Sequence, residues 1–463
     1  MPELAEVETV RRALEKASLG RRIDHIDVLR EKNVLTGAQS LQEGLAGATF
    51  TEVGRYGKHL IFHFSNGRVL LSHLRMEGKY FLDRVGDPYR KQDLLAFNFA
   101  DGGRLTYNDV RKFGTFELHG EGDYLLASPL AKLGKEPFDL SGYELFAKLA
   151  RISRPIKEAL LDQSVLAGLG NIYADEVLFA AKINPKTPAK EIALAQAEAI
   201  IAQSRRILQE AIDLGGSTIR SYHPQQGVSG MMQNRLRAYG RKNRPCEVCG
   251  HPLHTIPLAG RSATYCPYCQ RRPGHPFAIA VTGPVHAGKS LVAAFLERKG
   301  YPRFDADKAV HELYAEKQVR AKMRAILGPQ ALAAKGKVNA SYIAGRLADK
   351  KRRERWLSYL YPLVYRKAEE FLRAHKDAPH VVLEVPLLYG SGLEALSDMV
   401  ILVDAAPSLR AARLKEEGKD ASAQMKLNEG YPLAYAKANA TYVIRNDGDR
   451  ESLTEKIDEL PLL

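Results

Sequence analysis

The segment CEVCGHPLHTIPLAGRSATYCPYCQ, residues 246–270, contains every cysteine of the chain. The cysteines form two Cys-x2-Cys pairs, and sixteen residues separate the pairs. Each pair can supply two ligands of a tetrahedral zinc ion, and the stretch between the pairs has the length of a β-hairpin. We therefore predict a structural zinc site of four thiolates, with two disulfides as the less favoured alternative. The predicted ligands are Cys246, Cys249, Cys266 and Cys269.

Charge is distributed unevenly around this segment. The 463-residue chain has a formal net charge of +14 and a pI of about 9.4. Residues 201–275 hold 11 Lys and Arg against 3 Asp and Glu, whereas residues 1–200 hold 27 of each and residues 276–463 hold 30 against 24. The local excess indicates an anionic partner, and a solvated basic face is the plain alternative. Arg261, between the cysteine pairs, is a candidate phosphate contact.

Downstream of the cysteines, apolar strands alternate with helical stretches. FAIAVTG (277–283) has the composition of a buried strand, SLVAAFLERKG (290–300) that of a helix, and further apolar strands follow. This alternation predicts an α/β domain with a doubly wound parallel sheet. Between strand and helix, GPVHAGKS (283–290) fits the phosphate-loop pattern Gly-x4-Gly-Lys-Ser. In that context Lys289 is expected to reach the β and γ phosphate oxygens, and Ser290 to hold Mg²⁺.

Upstream of the cysteines, QSVLAGLGNIYADEVLFAAKINP (163–185) predicts a helix, a glycine-rich turn and a second helix that begins near Asn171 or Ile172. Such a turn exposes backbone amides at a helix N-terminus, where phosphate binds readily. A tight helical hairpin without a ligand is the alternative reading of the residues alone.

The N-terminal part of the chain has two kinds of local signal. Residues 3–19 have the apolar spacing of an amphipathic helix, for which Pro2 and Glu3 are suitable starting residues. Two β-hairpins are predicted further on, one across Asn66-Gly67 and one across Asp101–Gly103. A β-rich region is therefore expected to follow the first helix.

The predicted organisation is multidomain. We expect a β-sandwich with an N-terminal helix (1–130), a helical domain (131–238), a cysteine-rich hairpin (239–272), a linker (273–276) and an α/β phosphate-loop domain (277–463). No apolar run is long enough to span a membrane, and charge throughout the first thirty residues excludes a signal peptide. We expect a soluble, cytoplasmic monomer.

Residues 1–272 resemble the formamidopyrimidine-DNA glycosylases. The motifs that carry the resemblance occur in family order: MPELxEVET at the start, GRYGKHL, HLRMEGKY, NDVRKFGT, LAGLGNIYADE, GGSTIRSY, YGRK and GRSATYCPYCQ. The resemblance implies a helix–two-turn–helix DNA-binding domain and a zinc-finger hairpin. It also implies excision of oxidised purines, such as 8-oxoguanine and formamidopyrimidines, from double-stranded DNA, with strand cleavage by β,δ-elimination.

The same resemblance implies catalytic roles. Removal of Met1 would expose the secondary amine of Pro2, and an α-amino group has a pKa near ~8, so that a useful fraction is unprotonated at neutral pH. Pro2 is the expected nucleophile on the anomeric carbon, and Glu3 the general acid toward the sugar ring oxygen. Lys58 is expected to assist the first elimination and Arg261 the second.

DNA contacts follow from the resemblance as well. The target base must leave the stack, and wedge residues must fill the space that it vacates. The residues that match this wedge are Met76, Arg111 and Phe113. The residues that match phosphate contacts are Lys157, Asn171 and Arg261. Residues 217–231 match the segment that encloses the extruded base, while Ala5 and Gln92 depart from the family's usual proline and histidine.

Residues 277–463 resemble the dephospho-CoA kinases. The matching motifs are the phosphate loop, FDAD, YPLV, LEVPLLYGSG, ILVDA and YVIRNDGD. The resemblance implies ATP- and Mg²⁺-dependent phosphorylation of dephospho-CoA, with Asp307 activating the acceptor hydroxyl. The implied ATP contacts are Gly283, His286, Ala287, Gly288, Lys289, Ser290 and Leu291.

The kinase-like region departs from the family at several positions. Glycine and threonine are usual at Pro284 and Leu291, histidine at Tyr361, and arginine at Glu417 and Lys426. Loss of a lid arginine weakens the stabilisation of transition-state charge, and lysine does not replace its fork of donors. The leading hypothesis is a glycosylase/lyase fused to a dephospho-CoA kinase. The alternatives are the same glycosylase with a catalytically degenerate kinase-like domain, or a DNA-binding module joined to a P-loop ATPase.

Overall fold

The computed structural model describes residues 2–126, 129–216, 231–258, 260–272, 274–333, 337–416 and 431–460. The chain divides into two compact units, which are considered separately. Unit 1 comprises Met1–Lys242 and Ile256–Cys266, and unit 2 comprises Asn243–Thr255 and Pro267–Leu463. In the described ranges, no helix is both long enough and apolar enough to cross a membrane.

Unit 1 begins with a helix and a β-sandwich. The helices of this part are α1 (Leu4–Ser18) and α2 (Ala38–Leu45). The strands are β1 (Ile23–Val28), β2 (Phe50–Tyr56), β3 (His59–Phe64), β4 (Arg68–His73), β5 (Lys79–Arg84), β6 (Asp93–Phe99), β7 (Gly103–Asn108) and β8 (Thr115–Gly120). They form two antiparallel sheets, with orders β1-β6-β7-β5 and β2-β3-β4-β8. Both predicted hairpins are confirmed as β3–β4 and β6–β7.

Aromatic rings join the two sheets face to face. The Phe50 ring of one sheet lies 5.6 Å from Phe97 of the other and packs edge-on against it. The inward-facing rings form a two-layer core, and the central strands of both sheets are buried along nearly their whole length. Helix α1 covers one end of this core with Val7, Val10 and Leu14.

The helical part of unit 1 follows the sandwich. Its helices are α3 (Gly142–Leu149), α4 (Ile156–Leu161), α5 (Asn171–Ala180) and α6 (Leu194–Asp213). Helix α5 begins at Asn171, as its sequence predicts. Leu4 and Ala5 of α1 belong to the helical core, whereas the later residues of α1 belong to the sandwich core. The first turn of α1 is therefore fixed against the start of α5, and this places Glu3 there.

The cysteine segment contains a short hairpin. Strands β9 (His254–Leu258) and β10 (Arg261–Tyr265) pair with each other. Arg261 is exposed at the start of β10, next to the turn.

Unit 2 is a parallel α/β domain, as predicted. Its strands are β11 (Phe277–Thr282), β12 (Arg303–Asp305), β13 (His380–Glu384), β14 (Met399–Asp404) and β15 (Tyr442–Arg445), in the order β12-β13-β11-β14-β15 with every neighbour parallel. The helices are α7 (Lys289–Arg298), α8 (Ala306–Leu313), α9 (Lys317–Leu327), α10 (Ala340–Leu347), α11 (Lys350–Ala374), α12 (Pro407–Glu416), α13 (Leu433–Asn439) and α14 (Arg450–Asp458). Ligands of such sheets bind beyond the carboxyl ends of the strands.

A ladder of aromatic rings runs through unit 2 from the cysteine segment to the sheet. His251 stacks on Tyr268 with centroids 3.7 Å apart, and Tyr268 stacks on Phe277, the first residue of β11, at 4.7 Å. His380 lies edge-on to Phe277 at 5.5 Å and stacks on Tyr301 at 5.0 Å. We refer to these five residues as the aromatic ladder.

Candidate functional sites

Glu3 lies at the N-terminus of α5 and is buried there. Its carboxylate accepts hydrogen bonds from the backbone N–H groups of Gly170 (2.6 Å), Ile172 (2.8 Å) and Tyr173 (3.3 Å). These are the orphan donors that every helix start leaves unpaired. The expectation that this turn offers its amides to phosphate is therefore not met for these three groups, because a carboxylate of the chain already occupies them.

Two glycines allow the N-terminal segment to lie this close to the turn before α5. A Cβ atom on Gly170 would overlap Cδ of Glu3, and one on Gly168 would lie 2.5 Å from the Leu4 side chain. Gly168 also has a φ of +97°, which side chains rarely adopt. The LAGLGN turn thus requires glycine at both positions to admit the N-terminal segment. Pro2, the residue before Glu3, is buried as well.

The charges of Glu3 and Arg261 both act on the buried amine of Lys58. The Lys58 Nζ donates to the carbonyl oxygen of Leu169 at 2.6 Å. Burial lowers the pKa of Lys58 to about 8, and the Glu3 charge partly opposes that effect. Burial raises the pKa of Glu3 above its usual value. The structure therefore brings three predicted catalytic residues of unit 1 together, with an acid and an amine that both titrate nearer neutrality than usual.

The predicted phosphate contacts surround the hairpin turn. Lys157 is only 1% exposed, and its Nζ donates to Oδ1 of Asp175 (2.6 Å) and to the carbonyl oxygen of Ser262 (2.5 Å). Asn171 Nδ2 lies 3.4 Å from Ser262 Oγ, while its Oδ1 is buried and has no hydrogen-bond partner in the described residues. Lys157 thus holds β10 against α5 and keeps the exposed Arg261 beside Asn171.

The three predicted wedge residues lie on two exposed loops of the sandwich. Met76 is 40% exposed in the loop after β4, and Phe113 is 53% exposed in the loop between β7 and β8. The Arg111 guanidinium lies over the Phe113 ring, 5.1 Å from its centroid. All three predicted wedge residues are therefore accessible on the surface of the sandwich.

The four cysteines form the cluster that their spacing predicts. Their Sγ atoms all lie within 4.8 Å of one another. Four convergent thiols suit zinc, because thiolate is a preferred ligand and the set is complete without water. The residues present therefore fit a structural zinc ion.

In unit 2, the phosphate loop borders a cavity of about 990 Å³ at the carboxyl end of the sheet. The Lys289 Nζ donates to the carbonyl oxygen of Pro284 (2.9 Å), and Ser290 Oγ donates to Oε1 of Glu384 (2.6 Å). Glu384 ends the neighbouring strand β13 and is also paired with Arg303 through its Oε2, at 3.0 Å from Nε. Burial lowers the pKa of Lys289. Four of the remaining predicted contacts line the cavity, namely Gly283, His286, Gly288 and Leu291. Ala287 lies in the loop but is fully buried.

Asp307 lines this cavity as well. Desolvation and the neighbouring Asp305 raise the pKa of its carboxyl, while Lys289 opposes the shift. The loop is held from the other side by Asn446, whose Nδ2 donates to the carbonyl oxygen of Ala287 at 2.8 Å. Arg410 is buried, and its Nε and Nη1 have no hydrogen-bond partner among the described residues. An anion in the cavity would suit Lys289 and Arg413, which line it.

One residue of the unit 2 site was not predicted from the sequence, and several predicted residues lie outside the described ranges. Glu384 was missed, although an acid at the end of an apolar strand beside a phosphate-loop strand is a usable signal. Met1, residues 217–230, Glu417 and Lys426 lie outside the described residues.

Four family models match successive parts of the chain. Family models match for the formamidopyrimidine-DNA glycosylase N-terminal domain (residues 1–116), the H2TH domain of the same glycosylases (133–223) and the zinc finger found in FPG and IleRS (244–272). Together they define a DNA glycosylase of the helix–two-turn–helix class. A fourth model, dephospho-CoA kinase, matches residues 277–452.

The chain belongs to the formamidopyrimidine-DNA glycosylase family. It is 44% identical over 275 residues to the formamidopyrimidine-DNA glycosylase of Halalkalibacterium halodurans, a match that covers 58% of this chain and 100% of that protein. The enzyme of the same name from Streptococcus mutans is also 44% identical, over 276 residues that cover 59% of this chain and 100% of that protein.

Solved structures show the same likeness. A point mutant of the Lactococcus lactis FPG, in complex with DNA containing Fapy-dG, is 43% identical and has a TM-score of 0.56. The Lactococcus lactis Fpg in complex with abasic-site DNA is 42% identical and has a TM-score of 0.55. Each match covers 58% of this chain and 100% of the other. In the remaining part of the chain, residues 277–452 match the dephospho-CoA kinase family model.

Proposed function

We propose that unit 1 excises oxidised purines from double-stranded DNA and then cleaves the strand, and that unit 2 phosphorylates dephospho-CoA with ATP. The observation that carries the first half is the buried Glu3 carboxyl at the start of α5, directly after Pro2 and within the field of Lys58, on which the charge of Arg261 also acts.

In the first step the Pro2 nitrogen, free after removal of Met1, bonds to C1′ of the damaged nucleotide. The glycosidic bond breaks as this bond forms, and its electron pair leaves with the base. The Pro2 nitrogen then loses its proton, which balances the proton that the departing base takes up. The nitrogen lone pair then forms the iminium as the bond from C1′ to the ring oxygen breaks. Glu3 gives its proton to that oxygen, a role that its raised pKa supports.

The iminium withdraws electrons, so a proton can be removed from C2′ and the 3′ phosphate can leave. A second elimination releases the 5′ phosphate. Lys58 suits the first proton transfer because burial lowers its pKa to about 8, so that both its forms are populated near neutral pH. Arg261, exposed at the hairpin turn, suits stabilisation of the departing phosphate.

Borohydride reduction tests this half directly. A duplex containing 8-oxoguanine should yield a covalent protein–DNA adduct that maps to residue Pro2 by mass spectrometry. A chain that retains one extra residue ahead of Pro2 is the matched control, and it should bind the duplex without forming the adduct. Efficient trapping by the extended chain would overturn the assignment of the nucleophile, and no trapping by the native chain would overturn the glycosylase mechanism.

In unit 2, the acceptor hydroxyl oxygen attacks the γ-phosphorus of ATP as the bond to ADP breaks. Asp307 takes the hydroxyl proton, which its raised pKa favours. Lys289 lies at the start of α7 to contact the β and γ oxygens. Ser290 and Glu384 would hold Mg²⁺ between them. The metal ion, when bound, neutralises charge on the transferring phosphoryl group.

Measurement of 3′-phosphorylated product from ATP and dephospho-CoA tests this half, with Lys289→Ala as the inactive control. Product formation by the native chain, and its loss in the variant, is the expected result. ATP hydrolysis that depends on DNA and yields no coenzyme A would favour a P-loop ATPase. Failure to bind ATP at all would favour a degenerate domain.

A further inference from the structure

The loop between β7 and β8 carries two of the three wedge residues, and a buried aspartate organises it. Asp109 is 0% exposed. Its Oδ1 accepts the Arg111 N–H at 2.9 Å, and its Oδ2 accepts the N–H groups of Phe113 (2.8 Å) and Gly114 (2.9 Å). One carboxylate thus binds three backbone donors within five residues.

The opposite side of the loop is fixed by Asn33. Its Nδ2 donates to the carbonyl oxygens of Lys112 (3.2 Å) and Gly114 (2.5 Å). Lys112 has a φ of +60°, an unfavourable conformation for a side-chain-bearing residue that persists only when its surroundings impose it. The bonds from Asp109 and Asn33 impose it here.

Burial of a carboxylate costs free energy unless its oxygens are well bonded. In the described part of the chain, Asp109 forms no ion pair, and its three hydrogen bonds are all to the loop backbone. These bonds therefore stabilise the conformation of the loop. Its Arg111 and Phe113 side chains point to solvent rather than to the core. Rigid presentation of exposed groups suggests a role in recognition rather than in folding.

We propose that Asp109 is a positioning residue that fixes Arg111 and Phe113 in the orientation needed to replace an extruded nucleotide. This inference rests on the proposed glycosylase function. A preordered loop inserts into a duplex more favourably, because a flexible loop would lose conformational entropy when it became ordered on binding. A misplacement of about 1 Å can reduce a rate about 10²-fold.

Two variants test the proposal. Asp109→Asn keeps one acceptor oxygen and turns an NH₂ group toward a backbone N–H, whereas Asp109→Ala removes all three bonds. Single-turnover excision from an 8-oxoguanine duplex should fall about tenfold in Asp109→Asn and further in Asp109→Ala. Cleavage of a preformed abasic site in a single strand, which needs no wedge, should change less than about threefold.

Asp87→Asn is the matched control, because Asp87 accepts a single N–H, that of Arg84, in another loop of the sandwich. It should leave both rates at the native level. The fluorescence of 2-aminopurine beside an abasic-site analogue reports insertion, and its rise should be slower in Asp109→Asn.

Adding Asp109→Asn to a chain that already carries Arg111→Ala and Phe113→Ala separates positioning from folding. If Asp109 acts through these two side chains, the added substitution should slow excision no further. Additive losses, or equal losses in the duplex and single-strand assays, would overturn the proposal. A native chain that excises nothing would instead contradict the glycosylase function itself.

Discussion

Helices α5 and α7 both begin after a glycine-containing turn, yet they use that start for different anions. At α5, the N–H groups of Gly170, Ile172 and Tyr173 are bonded to the chain's own Glu3. At α7, the turn from Gly283 to Gly288 lines a cavity of about 990 Å³. The N-terminus of a helix therefore binds a carboxylate of the chain itself in one unit and borders a cavity in the other.

The glycines at these two helix starts, Gly170 and Gly288, are required for different physical reasons. Gly170 has a φ of −130°, which any residue adopts, and only the closeness of Glu3 excludes a side chain. Gly288 has a φ of +104°, and its backbone conformation itself requires glycine. Gly170 is therefore required by space alone, whereas Gly288 is required by its backbone conformation and also by the Asn446 side chain, which an added Cβ would overlap.

The largest expected effect comes from Glu3→Gln. The variant should reduce excision about 10²- to 10⁴-fold, because it removes the proton donor to the sugar. Single-turnover kinetics on an 8-oxoguanine duplex measures the loss, and DNA binding should stay close to native. Glu144→Gln, an exposed capping residue of α3, is the control. Near-native excision by Glu3→Gln would show that the α5 start holds only a structural carboxylate.

The paired variants Gly170→Ala and Gly288→Ala test whether the starts of α5 and α7 serve separate activities. A Cβ on Gly170 would displace Glu3, so excision should fall about 10- to 100-fold while ATP binding is unchanged. Gly288→Ala strains the loop and overlaps the Asn446 side chain, so it should weaken ATP binding and leave excision unchanged. Loss of both activities in either variant would contradict the separate use of the two helix starts.

A smaller effect is expected from Glu384→Gln. The amide keeps the contact with Ser290 but lowers the charge available to Mg²⁺, so the Mg²⁺ concentration for half-maximal ATP binding should rise about tenfold. Calorimetric titration of ATP at varied Mg²⁺ measures this shift, and ATP binding without Mg²⁺ should change little. Glu416→Gln, also at the cavity, is a suitable control. An unchanged Mg²⁺ dependence would remove Glu384 from the metal site.

The smallest effect is one of stability. Burial lowers the pKa of Lys58 from 10.5 to about 8, so between these values the unfolded chain binds more protons than the folded chain. The free energy of unfolding should therefore rise with pH across that window through this group, by roughly 2 kcal/mol. Urea unfolding of native and Lys58→Met chains at pH 8 and pH 10 isolates the contribution. Identical slopes in the two chains would show that Lys58 is solvated.

Much of the sites in unit 1 and unit 2 was predictable from the sequence, because it depends on the spacing of residues that are neighbours in the chain. The cysteine pairs, the phosphate loop and the start of α5 each depend on residues close in sequence, and the structure has all three. The wedge residues came from motif resemblance, and the structure exposes Met76 and Phe113 on loops.

Residues whose partners are distant in sequence were not predictable in the same way. Nothing near Glu3 indicates that its carboxylate accepts from an amide at residue 172. Lys157 looks like a surface cation in sequence, and only the fold shows that Asp175 and Ser262 enclose it. Asp109 carried a weak local signal, since an aspartate at a strand end often binds the N–H two residues on.

The aromatic ladder has a consequence for dividing the chain. The family matches end at residue 272 and resume at 277, which marks a convenient place to cut. Yet Phe277 is only 2% exposed, and Tyr268, from before that cut, stacks on its ring. A chain that began at residue 277 would lack the Tyr268 ring that packs on Phe277 beside His380. A protein engineer who wants the C-terminal domain alone should therefore retain the segment from Pro267 onward, because Phe277 belongs to a buried core in which a polar residue would be costly.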